Sequence, residues 1–165
     1  MDIATLANVL SAVAVVSGVV LGMLQIRHMS KTRAIFSSAE LVHAMLTQQF
    51  ADSVRIVLAL PENAHPDLVR RDSRMSEAVL MLSHVYESLG VLVYHRIVPL
   101  HIVDDLMGGY VRNSWKRLRP YVEVRRAELG VHYGDWMQWL VEQLEAHPSP
   151  GKSVGAHIAH RRWRP

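Results

Sequence analysis

Cysteine is absent from the 165-residue sequence, and so are the short motifs that mark common catalytic sites. Without cysteine the chain has no disulfide bond, no thiolate nucleophile and no cysteine-ligated zinc. The absence also fits a reducing compartment, in which disulfide bonds do not persist. No nucleophile elbow, phosphate-binding loop or zinc-binding helix motif occurs either. We therefore predict no catalytic residue, no cofactor and no bound metal, and a membrane-tethered enzyme is the least favoured interpretation.

Charge is absent from residues 3–26, an apolar run of 24 residues. As a helix this run would be about 36 Å long, which exceeds the roughly 30 Å hydrocarbon core of a bilayer. A cleaved signal peptide would carry positive charge ahead of the run, where the only charged side chain is that of Asp2. A helix of this length without a polar face is unusual in a soluble protein. The sequence therefore predicts one N-terminal transmembrane helix.

Basic residues follow the apolar run and determine its predicted orientation. Since positive flanks stay in the cytoplasm, the N-terminus should lie outside and the rest of the chain inside. We also expect basic side chains to contact anionic lipid head groups at both ends of the cytoplasmic part. These are Arg27, Lys31 and Arg33 next to the membrane, and Arg161, Arg162 and Arg164 in the C-terminal tail.

The net charge of +3 is unevenly distributed along the sequence. Residues 34–147 carry 11 basic and 14 acidic side chains, whereas residues 148–165 carry a charge of +4 and no acid. A DNA-binding domain would carry its positive charge on the folded part, so nucleic acid is a disfavoured partner. The sequence divides into a transmembrane helix with a basic flank (1–33), a cytoplasmic helical domain (34–147) and a basic, disordered tail (148–165). A tail that serves only as a solubilising end is the alternative.

Small residues recur at every fourth position of the apolar run, at Ala14, Gly18 and Gly22. They share one helix face and would let a second backbone come close, which favours self-association in the bilayer. A plain anchor is the alternative, because glycine and alanine are common in membrane helices.

The remaining sequence shows no alternating strand pattern and predicts an all-α bundle of about five helices, into which the transmembrane helix continues. Apolar residues keep helical spacing, while proline and glycine mark the breaks. Residues 95–98 should form a short turn before Pro99, and Asp67 could cap the second helix. The expected helices cover residues 34–60, 67–94, 99–107, 110–129 and 135–146.

Glycine and proline give three further local predictions. Gly90 interrupts an apolar seam in the second helix, so we expect another helix to pass close to it. Gly108 and Gly109 should let the backbone turn sharply between two helices. Pro120 should bend or pause the fourth helix, and Gly130 should end it.

Three groups of side chains could be functional. Two Glu/His pairs have the spacing of a carboxylate-bridged metal site: Glu40 with His43, and His84 with Glu87. Only the first pair has glutamate before histidine, which is the order that such sites use. Solvated or capping roles are therefore favoured for these side chains. Asp104 and Asp105 point about 100° apart on a helix, so they cannot act as a carboxylate dyad, and the helix macrodipole explains Asp104.

Four aromatic residues could line a ligand pocket, although core packing is the commoner role: Trp115 and Tyr121 on one helix, Trp136 and Trp139 on the next.

Residues 86–126 contain three short patterns: an aromatic–Glu pair before LG.LV (86–93), DL.GG (105–109) and W..LRP (115–120). With these patterns the chain resembles a family of uncharacterised bacterial membrane proteins that share a domain of unknown function. The resemblance implies one N-terminal transmembrane helix, a short helical cytoplasmic domain and the bacterial inner membrane. It implies no catalytic residue.

Together these patterns predict a membrane-anchored interaction or scaffold module without catalytic activity. It should self-associate, or serve as an accessory subunit of a membrane complex, so its partners would be the lipid bilayer and a second copy or another membrane protein. The alternative is a homo-oligomeric pore lined by the N-terminal helices. The lining positions would be Thr5, Asn8, Ser11 and Ser17, of which the first three form a weak polar stripe.

Overall fold

The computed structural model describes residues 47–149, 155–159, 161–162 and 164, and every regular element in these ranges is an α-helix. The all-α prediction is therefore confirmed for the described part of the chain. In chain order the helices are α1 Gln48–Leu58, α2 Pro66–Arg70, α3 Ser73–Tyr94, α4 Leu100–Leu129, α5 Asp135–Ala146 and α6 Ala156–Ala159.

The expected transmembrane helix lies outside the described residues. Among the helices that the structure describes, none is long and apolar enough to cross a membrane. The small-residue face and the basic flank also lie in the undescribed stretch 1–46, so both stay predictions: Ala14, Gly18 and Gly22, and Arg27, Lys31 and Arg33. In the tail, Arg161, Arg162 and Arg164 are described and exposed.

Three helix starts differ from the prediction because side chains cap the backbone there. Thr47 is extended (ψ 136°), and its Oγ1 accepts a hydrogen bond from the backbone N of Phe50 at 3.3 Å. The expected unbroken helix over 34–60 is therefore wrong at Thr47, which is the extended residue before α1. Asp72 likewise accepts hydrogen bonds from the first turn of α3, which splits the expected helix over 67–94 into α2 and α3. His65, rather than Asp67, caps α2.

The predicted turn at the glycine pair is wrong. Helix α4 runs through Gly108 and Gly109, and neither is among the described residues with positive φ. Each glycine costs about 1 kcal/mol in a helix relative to alanine. Burial of Val103, Met107 and Val111 at helical spacing on both sides outweighs this cost. The expected helices over 99–107 and 110–129 are thus one helix.

Helix α4 also continues through Pro120, because another segment satisfies the carbonyl that proline leaves without a partner. Proline has no N–H for the carbonyl four residues earlier, which is that of Lys116. The backbone N of Asn63 donates to this oxygen at 2.8 Å. Next to it, Arg117 Nε donates to the carbonyl oxygen of Leu60 at 2.8 Å. The segment between α1 and α2 is thereby held against α4, and α4 ends at Gly130 as predicted.

The hydrophobic core is formed mainly by α1, α3, α4 and α5, with α3 packed against both α1 and α5. The apolar seam predicted for α3 is confirmed. Met75 is partly buried, and the remaining members are buried: Val79, Leu82, Tyr86, Leu89 and Val93. Burial of each such side chain contributes roughly 1.5–3 kcal/mol to folding.

Candidate interaction surface

Helix α5 begins without a side-chain cap of its own, and α3 supplies the hydrogen-bond acceptor. Its N-cap residue, Gly134, has a left-handed backbone (φ 75°) and no side chain. Glu87 Oε1 instead accepts a hydrogen bond from the backbone N of Met137 at 2.7 Å. The first N–H groups of a helix have no partner within the helix, and its dipole favours a negative charge there. Glu87 therefore fastens the start of α5 to α3.

Two glycines allow the close approach of neighbouring helices to the start of α5. A Cβ placed on Gly90 would lie 2.5 Å from the carbonyl oxygen of Trp136. A Cβ on Gly134 would lie 2.7 Å from Cγ1 of Val122 on α4. Since the interior is close-packed, a larger residue at either position would displace α5 or its neighbour. The close helix contact predicted at Gly90 is confirmed.

The same crossing gathers three aromatic rings near the surface. The ring centroid of Tyr94 lies 5.0 Å from that of Trp136 and 5.8 Å from that of Trp139. The two indoles are 5.8 Å apart with their planes at 76°, and His95 stands edge-on to Tyr94 at 5.2 Å. These separations are the ones that aromatic pairs favour. Tyr94 is 56% exposed, and both tryptophans are half-buried.

The sequence predicted only part of this cluster, because it grouped Trp136 and Trp139 with Trp115 and Tyr121. In the structure Trp115, Tyr121 and Trp139 are all partly buried against the hydrophobic core, and Trp136 and Trp139 contact the ring of Tyr94 as well. Tyr94 was missed. A usable signal exists, because Tyr94 follows Gly90 by four residues and therefore lies on the face of α3 that α5 crosses.

A tight turn over residues 95–99 joins α3 to α4 and extends this surface. Arg96 has a left-handed backbone (φ 56°), and its backbone N donates to the carbonyl oxygen of Val93 at 2.9 Å. Pro99 stands at the N-cap of α4, so the turn predicted before it is confirmed. The side chains at positions 95–97 are exposed. We use the term aromatic corner for Tyr94, His95, Arg96, Ile97, Trp136 and Trp139.

Asp104 is a buried carboxylate that joins two parts of the domain. Its Oδ1 accepts a hydrogen bond from Nη2 of Arg112 at 2.6 Å, and its Oδ2 accepts one from the backbone N of Ser149 at 2.8 Å. Arg112 also donates to the carbonyl oxygen of Leu144 at 2.8 Å. Asp104 therefore links α4 to the segment after α5, and these hydrogen bonds, rather than the helix macrodipole, account for its position. Asp105 is exposed, so the two aspartates form no dyad, as predicted.

At the other end of α4, an arginine organises the turn into α5. Arg126 donates to the carbonyl oxygen of Tyr133 at 2.8 Å and to Oε1 of Gln138 at 2.8 Å. It also pairs with Asp135 at 3.2 Å. These bonds fix the first turn of α5 relative to α4. The backbone N of Met137 and the carboxylate of Asp135, both in the first turn of α5, are therefore bonded to side chains of neighbouring helices.

Two further polar contacts link helices away from the aromatic corner. Glu128 accepts hydrogen bonds from Arg70 and Arg125, which lower the pKa of its carboxyl and join α2 to α4. The hydroxyl of Tyr86 lies 3.4 Å from that of Ser114. Burial raises the pKa of Tyr86 to about 12, although the Ser114 contact opposes that rise.

Of the two Glu/His pairs, only His84 with Glu87 lies within the described residues. Glu40 and His43 lie outside the described residues, His84 is exposed, and Glu87 binds the start of α5. Within the described ranges, no group of three or more histidine, aspartate or glutamate side chains is placed to hold a metal ion.

The model of a family described as Domain of unknown function (DUF4760) matches residues 12–143. This range covers α1 to α4, most of α5 and the second half of the apolar run. No curated protein and no solved structure matches the chain.

Proposed function

We propose, from the premise that the chain belongs to the DUF4760 family of unknown function, that it is a membrane-anchored, non-catalytic interaction module. In this proposal one N-terminal helix spans the inner membrane of a bacterium, with the N-terminus outside. The helical domain lies in the cytoplasm. The anchored chain associates with further copies through Ala14, Gly18 and Gly22, or serves a larger membrane complex as an accessory subunit.

The main support comes from how the domain uses its polar and aromatic side chains. Glu87 and Asp104, two of the four carboxylates with a possible chemical role in the sequence, are bonded to backbone N–H groups of another segment. Tyr86 and Ser114 face each other inside the core. In contrast, the aromatic corner presents large rings and an arginine at the surface. Tyrosine and tryptophan, which have an apolar body and a polar tip, are enriched both at protein interfaces and at membrane–water interfaces.

Sequence supports the anchor. Residues 3–26 hold no charge over a length sufficient to cross a bilayer, and basic residues follow directly. The family match begins at residue 12, within this run, and continues through the helical domain to residue 143. The apolar segment and the helical domain are therefore parts of one family unit.

Membrane fractionation of the full-length chain tests the anchor. The chain should remain in the membrane fraction after alkaline carbonate washing, because an apolar helix of this length holds it in the bilayer. Release of the chain into the supernatant would overturn the anchor.

The mass of the detergent-solubilised particle tests self-association. Gly18→Leu should reduce that mass, because the longer side chain prevents close approach of two helices. Val16→Leu, two residues away on another face, should leave the mass unchanged. A wild-type particle that is already monomeric would overturn self-association, and the role of accessory subunit would stand alone.

A further inference from the structure

The aromatic corner combines apolar and polar groups in a way that suits the boundary between water and lipid. Tyr94 and Ile97 are 56% and 46% exposed, and the half-buried indoles of Trp136 and Trp139 lie against Tyr94. Tyrosine and tryptophan each have an apolar body and a polar tip, and both are enriched at membrane–water interfaces. The corner thus contains the residue types that are found at the level of the lipid head groups in membrane proteins.

The backbone of the corner is already ordered. Arg96 adopts a left-handed conformation that non-glycine residues rarely adopt, and the backbone N of Ile97 donates to the carbonyl oxygen of Leu92 at 2.9 Å. Pro99 adds a fixed φ at the end of the turn. Little conformational entropy would therefore be lost when the exposed side chains bind a surface.

The corner is also positively charged. Of its six residues, Arg96 carries the positive charge and none is acidic. The acid in the first turn of α5, Asp135, is paired with Arg126 at 3.2 Å and lies 3.0 Å from His132. Glu87, which lies beneath the corner, accepts a hydrogen bond from the start of α5. The exposed charge therefore complements an anionic surface.

We propose that the aromatic corner rests in the head-group region of an anionic bilayer and orients the domain on the membrane. This inference rests on the proposed anchor, since residues 27–46 would tether the domain within about 70 Å of the bilayer even when fully extended. A tethered surface contact needs little intrinsic affinity, because the second contact is intramolecular. A basic side chain near an anionic surface adds about a fivefold preference.

A lipid surface fits the size of the corner better than a protein partner. A standard protein interface uses about 20–30 residues on each side. The corner comprises six residues, four at the end of α3 and in the turn after it, and two on α5. A few protruding aromatic and aliphatic side chains are enough for insertion between lipid head groups.

A spin label at the corner tests this contact. Because the sequence contains no cysteine, Ile97→Cys gives a single labelling site in the full-length chain. The labelled chain is reconstituted into vesicles of phosphatidylcholine and phosphatidylglycerol, and the collision rates of the label with oxygen and with a water-soluble nickel complex are compared. Leu80→Cys, at a position that is 53% exposed on α3, is the matched control.

We expect the oxygen-to-nickel ratio at position 97 to be several-fold higher than at position 80, because oxygen concentrates in lipid. In the Ile97→Cys chain, Arg96→Asn should reduce membrane occupancy by about fivefold, since asparagine tolerates the left-handed backbone but carries no charge. A chain that floats with the vesicles but shows equal ratios at both positions overturns the corner contact alone. A chain that does not float overturns the anchor, and the corner contact with it.

Discussion

Two glycine-containing segments look alike in the sequence but differ in the structure: Leu89–Gly90 in α3 and Gly108–Gly109 in α4. Both lie inside continuous helices. A Cβ on Gly90 would lie 2.5 Å from a carbonyl oxygen of α5, whereas a Cβ on Gly109 would meet nothing within 4 Å. Glycine within a helix thus marks a close helix crossing at Gly90 and a tolerated cost at Gly109. The position of the neighbouring helix decides between them.

The largest effect should follow from Gly90→Ala. Alanine is the better helix former, but its Cβ would collide with the backbone of Trp136, so α5 must shift. We expect the free energy of unfolding to fall by about 3 kcal/mol, near the upper end for overpacking. Denaturation of the full-length chain in detergent, followed by circular dichroism, measures this change. An unchanged or higher stability would contradict the close crossing.

Tyr86, one turn before Gly90, should make the domain sensitive to alkali. Its pKa is raised to about 12 in the folded state, against about 10 in the unfolded chain. Folding therefore favours the neutral phenol, so the contribution is complete below about pH 10 and is lost as the pH rises towards 12. The loss amounts to roughly 2–3 kcal/mol.

Tyr86→Phe should flatten the alkaline decline of the melting temperature between about pH 10 and 12. Tyr94→Phe, at a position that is 56% exposed, should leave the decline unchanged. The same decline in wild type and in Tyr86→Phe would show that another group causes it.

A smaller effect should follow when the cap of α5 is removed. Glu87→Ala takes away the acceptor for the backbone N of Met137 and should cost about 1 kcal/mol of unfolding free energy. Glu87→Gln keeps an acceptor oxygen and loses only the charge at the helix start, so it should cost about 0.5 kcal/mol. Glu77→Ala, exposed on the same helix, is the control. Wild-type stability in Glu87→Ala would mean that this bond contributes nothing.

The smallest effect, of opposite sign, should follow from Gly109→Ala. The added methyl group meets no neighbour and restricts the unfolded chain, so stability should rise by about 0.5–1 kcal/mol. A loss of stability would mean that the second glycine segment also lies at a close contact, and the contrast with Gly90 would disappear.

Local patterns made part of the fold predictable. The spacing of apolar residues predicted the buried seam of α3, and Gly90 within that seam predicted the close crossing. Gly130 ended α4 as expected. In contrast, the conformational freedom of Gly108 and Gly109 predicted a turn, although a helix tolerates glycine at a cost of about 1 kcal/mol. The buried residues Met107 and Val111 on either side belong to one helix face, and their packing outweighs that cost.

Partners distant in the sequence account for what could not be predicted. Glu87 binds the backbone of a residue 50 positions away, and Asp104 binds one 45 positions away. Asn63 satisfies the carbonyl of Lys116, without which Pro120 would leave an unpaired group in α4. No periodicity in the sequence encodes such contacts, because they depend on how complete helices pack. The aromatic corner was predicted only in part for the same reason.

Labelling of single cysteines in intact bacterial cells tests most directly whether the helical domain lies on the cytoplasmic side of the membrane. Asp2→Cys and Val131→Cys each introduce one thiol into a chain that has none, and Val131 is 71% exposed. With a membrane-impermeant maleimide, position 2 should react in intact cells, and position 131 should react only after the membrane is permeabilised. Reaction at position 131 and protection at position 2 in intact cells would contradict the proposed orientation.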